Sequence, residues 1–410
     1  METLKTKLKY LVINYIKYDG ITATFAVVVI LGIYISQRKT ENIIDWTIFS
    51  SIVVTLALAI LSSVVKKILM NHLEDSNKLT EDYDALTRKY MGEMVAYDNS
   101  CVKQENKKKI ESKHVKVTIP VIQVCELSGH TICIRDTKKE YELPELIQSH
   151  FDEIFTAHST SDVFNQVNIR VDDWKESNGD FVICTSRTTF FNSLVTNRAM
   201  DYKWSNGVCV RDMLECGPQL HTLKESLLSN HLGFNGFIES VDNYILFVKR
   251  KSTMSLGKRL YESSVGASLG TKDALNEYGI FTTEGLQKGI LKALKDELEI
   301  SGLAIDNFSL EKNMISAYRE LVEGGKPQLL FYVHSSWTKA FIEKNYAQKK
   351  HLSQLIWWMK VRKTFLWIPK SELKYIGILP DGIIYRGKKY RMMPTVTASV
   401  VMLMKYLGKK

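Results

Sequence analysis

Thr283-Glu-Gly-Leu-Gln-Lys-Gly-Ile-Leu-Lys-Ala-Leu-Lys-Asp-Glu-Leu-Glu-Ile300 is the stretch on which the reading of the fold turns. Leu286, Ile290, Leu294 and Leu298 recur at helical spacing, which predicts an amphipathic helix with one apolar face. Gly302 supplies its stop. Just upstream lies a loop with two glycines, Ser263-Ser-Val-Gly-Ala-Ser-Leu-Gly270. Before that, residues 236–239 and 244–250 flank Val241-Asp242-Asn243, which predicts a hairpin. Strands are expected downstream at 328–334 and 364–368. Strand-like runs also occur at 115–125, 131–135, 167–171 and 181–186, with helical stretches at 143–155 and 220–228. This mixture predicts an α+β or α/β class and excludes an all-helical chain.

The order of these elements over residues 233–410 resembles that of a Nudix domain. The family signature runs Gly-x5-Glu-x7-Arg-Glu-aliphatic-x-Glu-Glu-x-Gly-aliphatic, and here Glu284 is followed by seven residues and then Lys292-Ala-Leu-Lys-Asp-Glu-Leu-Glu-Ile300. Leu294 and Ile300 stand for the aliphatics, and Asp296-Glu297 for the acidic pair. Gly279 is one residue off register for the leading glycine, and Glu299 replaces the closing one. The resemblance implies an α/β/α domain. In active members clustered carboxylates of the box hold a divalent metal, so Glu284, Asp296 and Glu297 are the implied ligands if Mg²⁺ binds.

Two departures bear on chemistry. The box glutamate that serves as metal partner or base is Ala293, which can take neither a proton nor a metal. Lys292 replaces the box arginine and lacks its planar fork. No catalytic residue is assigned and no cofactor is required; a weakened or absent hydrolase with a surviving nucleotide pocket is expected. Lys249, Arg250, Lys258 and Arg259 adjoin the hairpin and the glycine loop, and with Gly266 and Gly270 they are the candidate nucleotide-binding residues. Cations beside a glycine-rich turn suit phosphate oxygens. Arg250 leads, because active relatives often carry an arginine there. A further basic run spans Arg386 to Arg391.

The chain of 410 residues carries a net charge of +10, which favours anionic partners. Its six cysteines (Cys101, Cys125, Cys133, Cys184, Cys209, Cys216) contain no CxxC pair, and the nine histidines lack ligand spacing, so neither a transition-metal site nor a disulfide framework is expected. Such cysteine usage fits a reducing, cytoplasmic setting.

The N-terminal part reads differently. Residues 20–37 and 46–65 are uncharged apolar runs, which predicts an uncleaved hairpin of two transmembrane helices. Lys5, Lys7, Lys9 and Lys17 before it and Lys66 and Lys67 after it place both termini in the cytoplasm. Residues 1–18 read as an amphipathic segment on the membrane surface, 19–67 as the two spans, and 68–114 as a charged helical linker in which Leu79, Tyr83, Leu86, Tyr90 and Met94 recur at helical spacing. Residues 115–232 read as an α/β extension of unassigned role, and 233–410 as the Nudix-like domain. Ser51, Thr55, Ala59 and Ser62 form a small-residue stripe on the second span, suited to helix association.

A membrane hairpin joined to an altered Nudix-like domain is similar to a group of bacterial antiphage effectors that answer a cyclic oligonucleotide messenger. The resemblance implies a cyclic di- or trinucleotide ligand, self-association on binding, disruption of the inner membrane, and no nucleic-acid partner. A tethered Nudix hydrolase of nucleoside diphosphate derivatives, and a scaffold that binds another protein, are the alternatives.

Overall fold

The computed structural model describes residues 54, 61, 62, 65, 78–99, 115–158, 161–204, 206–272, 274–298, 305, 308–349, 361 and 363–409. In chain order the strands are β1 (Met94–Asp98), β2 (Lys116–Glu126), β3 (Thr131–Glu140), β4 (Val167–Ser177), β5 (Asp180–Thr189), β6 (Gly233–Glu239), β7 (Tyr244–Lys249), β8 (Tyr261–Glu262), β9 (Val265–Ser268), β10 (Met314–Glu320), β11 (Lys326–His334), β12 (Phe365–Pro369), β13 (Gly377–Leu379), β14 (Gly382–Tyr385) and β15 (Lys388–Arg391). The helices that pack on the main sheet or lead into it are α1 (Tyr83–Lys89), α2 (Thr283–Glu297) and α3 (Pro394–Gly408).

Among the described residues the class is mixed α/β with several sheets. The largest has nine strands in the order β1-β2-β10-β11-β6-β7-β12, with β8 on β7 and β9 on β6. β11 and β6 are parallel, while the other pairings are antiparallel. Alternation along the strands splits the core in two, as the pleat requires. Leu329, Phe331 and Val333 face one side with Leu286, Ile290 and Leu294 of α2. Leu330 and Tyr332 face the other with Val396, Val400 and Leu403 of α3. Each such fully buried leucine is worth about 1.5–3 kcal/mol.

A second sheet, β3-β5-β4, adds Ile132, Ile169, Val171, Phe181 and Ile183 to the α2 side of the core. β2, from the extension, lies inside the main sheet between β1 and β10. The Thr282 side chain caps α2 by accepting from the Gly285 amide at 3.2 Å, so the helix starts where its apolar repeat starts. Asn243 takes a positive φ of 62° at the β6–β7 turn, as a tight hairpin demands.

The expected two-helix transmembrane hairpin, and with it the two-span inner-membrane location, is overturned: among the described residues no helix is long and apolar enough to cross a membrane. α2 and α3 have 15 residues each, which is about 22 Å of helix against a hydrocarbon core of ~30 Å. The surface segment 1–18 and, apart from residues 54, 61, 62 and 65, the two proposed spans fall outside the described residues. So do Ser51, Thr55 and Ala59; Ser62 is buried.

Three local expectations also change. The linker helix is short: α1 has seven residues, Gly92 then takes φ 134°, and Met94 pairs with Ile122 in the main sheet. Residues 220–228 form turns rather than a helix, because Arg170 Nη2 takes the carbonyls of Ser226 and Leu228 at 3.0 and 3.2 Å. The stretch 143–155 is broken into two short helices, Glu145–Ser149 and Phe151–Phe155.

Candidate functional site

A cleft of about 370 Å³ opens over β6, β9 and the β10–β11 turn, and it draws its lining from widely separated parts of the chain. Arg250 reaches it from the end of β7, and Gly266 and Ser268 from β9. Phe164, Phe190 and Arg198 come from the extension, and Glu323 and Lys326 from the turn. That volume falls within the range of about 300–1,000 Å³ typical of small-ligand sites.

Arg198, Arg250 and Lys326 bring positive charge to the lining, each paired with a carboxylate, and Asp162, Glu297 and Glu323 bring negative charge. Arg250 pairs with buried Glu262, and its Nε has no hydrogen-bond partner. Arg198 is 9% exposed, donates from Nη1 to Ser255 Oγ at 2.5 Å, and stands 4.9 Å from the Phe190 ring centroid. Its Nε makes no hydrogen bond and lies 3.9 Å from a Glu323 carboxylate oxygen. Lys326 Nζ is 3.2 Å from a Glu323 oxygen, and Gln328 donates to Glu320 at 3.3 Å. Burial, reinforced by Glu323, raises the Glu320 carboxyl well above its ordinary value. A buried N–H that makes no hydrogen bond is costly, and two on one cleft suit an incoming acceptor, which at Arg198 would compete with the Glu323 carboxylate.

On the floor, Asn235 Nδ2 donates to the Tyr318 hydroxyl at 2.6 Å, and that hydroxyl lies 3.2 Å from both Thr395 and Ser399 of α3. Gly266 lets the strand pass close by: a Cβ there would lie 3.0 Å from Glu262 Oε2 and 3.2 Å from Asn235 Oδ1. Phe164, 69% exposed, and Tyr261 supply aromatic surface at the same cleft.

Of the nucleotide-binding residues expected from sequence, Arg250 and Gly266 line the cleft. Lys249 is exposed, with Nζ 5.7 Å from the Tyr261 centroid. Lys258 faces a neighbouring recess of about 220 Å³ with Tyr83 and Arg391. Arg259 is exposed at positive φ, and Gly270 bridges to Asn168 away from the lining. Arg386 of the basic run pairs with Glu372.

The box acids disperse. Glu284 and Glu297 stand 13 positions apart on α2, about 20 Å along the axis, so they cannot share one ion. Asp296 pairs with Lys292, while Glu297 lines the cleft. Glu297 is open to solvent through the cleft, yet the protein crowded around it and the Glu262 carboxylate push it up to about 7. Ala293 packs on the core.

Among the described residues one group could hold a metal ion, and it lies elsewhere: Cys125, His130 and Glu176. The sequence shows no ligand spacing for this group, because the three come from the end of β2, the β2–β3 turn and β4. No protein-family model matches the chain, and no curated protein matches it.

Proposed function

We propose that the chain is a receptor for a cyclic di- or trinucleotide, held in this cleft and bound rather than hydrolysed. The observation that carries the reading is that one cleft holds two arginines, buried Arg198 and partly buried Arg250, each with a buried Nε that makes no hydrogen bond. Guanidinium groups match phosphate oxygens in geometry and charge. Phe164 and Tyr261 offer faces on which a base can stack. The altered Nudix-like box, the part of the resemblance to antiphage effectors that does not rest on the overturned membrane hairpin, extends the reading to a role in bacterial antiviral signalling in which ligand drives self-association.

The test is binding and turnover of a panel of cyclic di- and trinucleotides by the full chain, with and without Mg²⁺, together with its mass in solution. Saturable binding without turnover, and a rise in mass, are expected. No binding by any member of the panel overturns the receptor reading.

Glu297 favours a second reading, hydrolysis, because a cleft carboxyl with a pKa near neutrality suits a general base. That reading requires Mg²⁺-dependent turnover that Glu297→Gln abolishes. The two also differ in pH dependence. Glu297 is neutral below about 7 and anionic above it, so an anionic ligand is repelled more as pH rises. Affinity is expected to fall about three- to tenfold from pH 6 to 8, with Glu297→Gln flattening the profile. An affinity that rises with pH would contradict the assigned role of this carboxyl.

A further inference from the structure

We propose that Cys125, His130 and Glu176 form a binding site for a transition-metal ion of the zinc class, separate from the cleft. Cys125 Sγ lies 4.0 Å from His130 Nε2 and 3.4 Å from Glu176 Oε2, and His130 Nε2 lies 3.1 Å from Glu176 Oε1. For a tetrahedral zinc with ordinary bond lengths, the corresponding edges are about 3.6, 3.6 and 3.3 Å. Each observed separation is within about half an ångström of its ideal, and because the two Glu176 distances belong to different oxygens, the carboxylate would turn to offer one oxygen to the ion or chelate it with both.

The donor set selects the metal. A thiolate and an imidazole suit zinc and its neighbours in the first transition row, whereas Mg²⁺ and Ca²⁺ want oxygen alone. Cys125 is buried, His130 is partly exposed, and Glu176 opens to solvent, which leaves room for water in the fourth position. His130 Nδ1 has no hydrogen-bond partner among the described residues. The ring therefore lacks the outer acceptor that strengthens most metal-bound histidines, and binding weaker than at a closed four-ligand site follows.

The position gives the ion a structural consequence. Cys125 belongs to the main sheet and Glu176 to the three-stranded sheet, so a bound ion would clamp one to the other.

The test is titration of the chelator-stripped full chain with Zn²⁺, and separately with Co²⁺, whose thiolate charge-transfer absorption reports Cys ligation. One equivalent of Zn²⁺ is expected, along with a thiolate–Co²⁺ band and a thermal midpoint that rises with metal. Cys125→Ser should abolish the band. Glu176→Gln, at an exposed side chain whose change leaves the fold intact, should weaken Zn²⁺ about tenfold or more. Failure to bind either ion, or binding that both variants leave unchanged, overturns the proposal.

Discussion

Asp136→Ala is expected to cost about 3–5 kcal/mol of stability, the usual penalty for stranding one partner of a buried ion pair. The Asp136 side chain is fully buried, and Arg187 meets it with two bonds of 2.7 and 2.6 Å. The same carboxylate accepts from the Phe281 amide and the Thr185 hydroxyl, each at 2.9 Å. Arg187 in turn donates to the Gly279 carbonyl at 3.1 Å, so the pair ties β3 and β5 to the loop entering α2. Urea unfolding of wild type and variant measures the loss; a difference below about 1 kcal/mol would place the pair among ordinary surface bridges.

The pH dependence of this contribution has a definite sign. Burial works against the charge, but the bonds from Arg187, Phe281 and Thr185 outweigh it and hold the carboxyl below its ordinary value. A group depressed in the folded state stabilises above its unfolded pKa, about 4 for aspartate, and the benefit fades as pH falls through the folded value. The gap between wild type and variant should therefore hold steady from neutrality to about pH 5 and narrow only in stronger acid.

Arg198→Leu is expected to weaken nucleotide binding by about ten- to a hundredfold, since a hydrogen bond to a charged group is worth about 1.5–3 kcal/mol. Arg198 is the cation that the extension brings to the cleft, and its Nε makes no hydrogen bond. Arg198→Lys restores the charge without the fork and should recover only part of the affinity. Unfolding curves of both variants separate loss of binding from loss of fold. Unchanged affinity in a folded Arg198→Leu protein would remove this arginine from the ligand's contacts.

Local pattern was legible and distant convergence was not. The apolar repeat of Leu286, Ile290 and Leu294, the turn at Asn243 and the strand ending at His334 each follow from neighbours in the chain. Arg250 and Gly266 could be found because they flank the hairpin and loop that draw attention to themselves. Arg198 gave no such signal: it sits in the 3₁₀ turn Asn197–Ala199, and only tertiary packing sets it beside Ser255. Glu323 and Lys326 bracket Gly324-Gly325, a turn whose glycines both take positive φ, but the sequence alone does not say what the turn faces. Glu176 lies 46 positions beyond His130, which is why no ligand spacing marks the triad. No motif marks α3, although Val396, Val400 and Leu403 on it pack into the core on one face of the main sheet.

The mixed parentage of the cleft bears on modularity. A chain cut before residue 233 would keep α2 with its altered box, the glycine loop and Arg250. It would discard Phe164, Phe190 and Arg198, and it would strip β2 from the flank of β10, baring a new sheet edge. The cleft is thus not a portable cassette. Recombination or deletion that respects the boundary read from the sequence would yield a fragment that carries the motif and lacks part of the cleft wall.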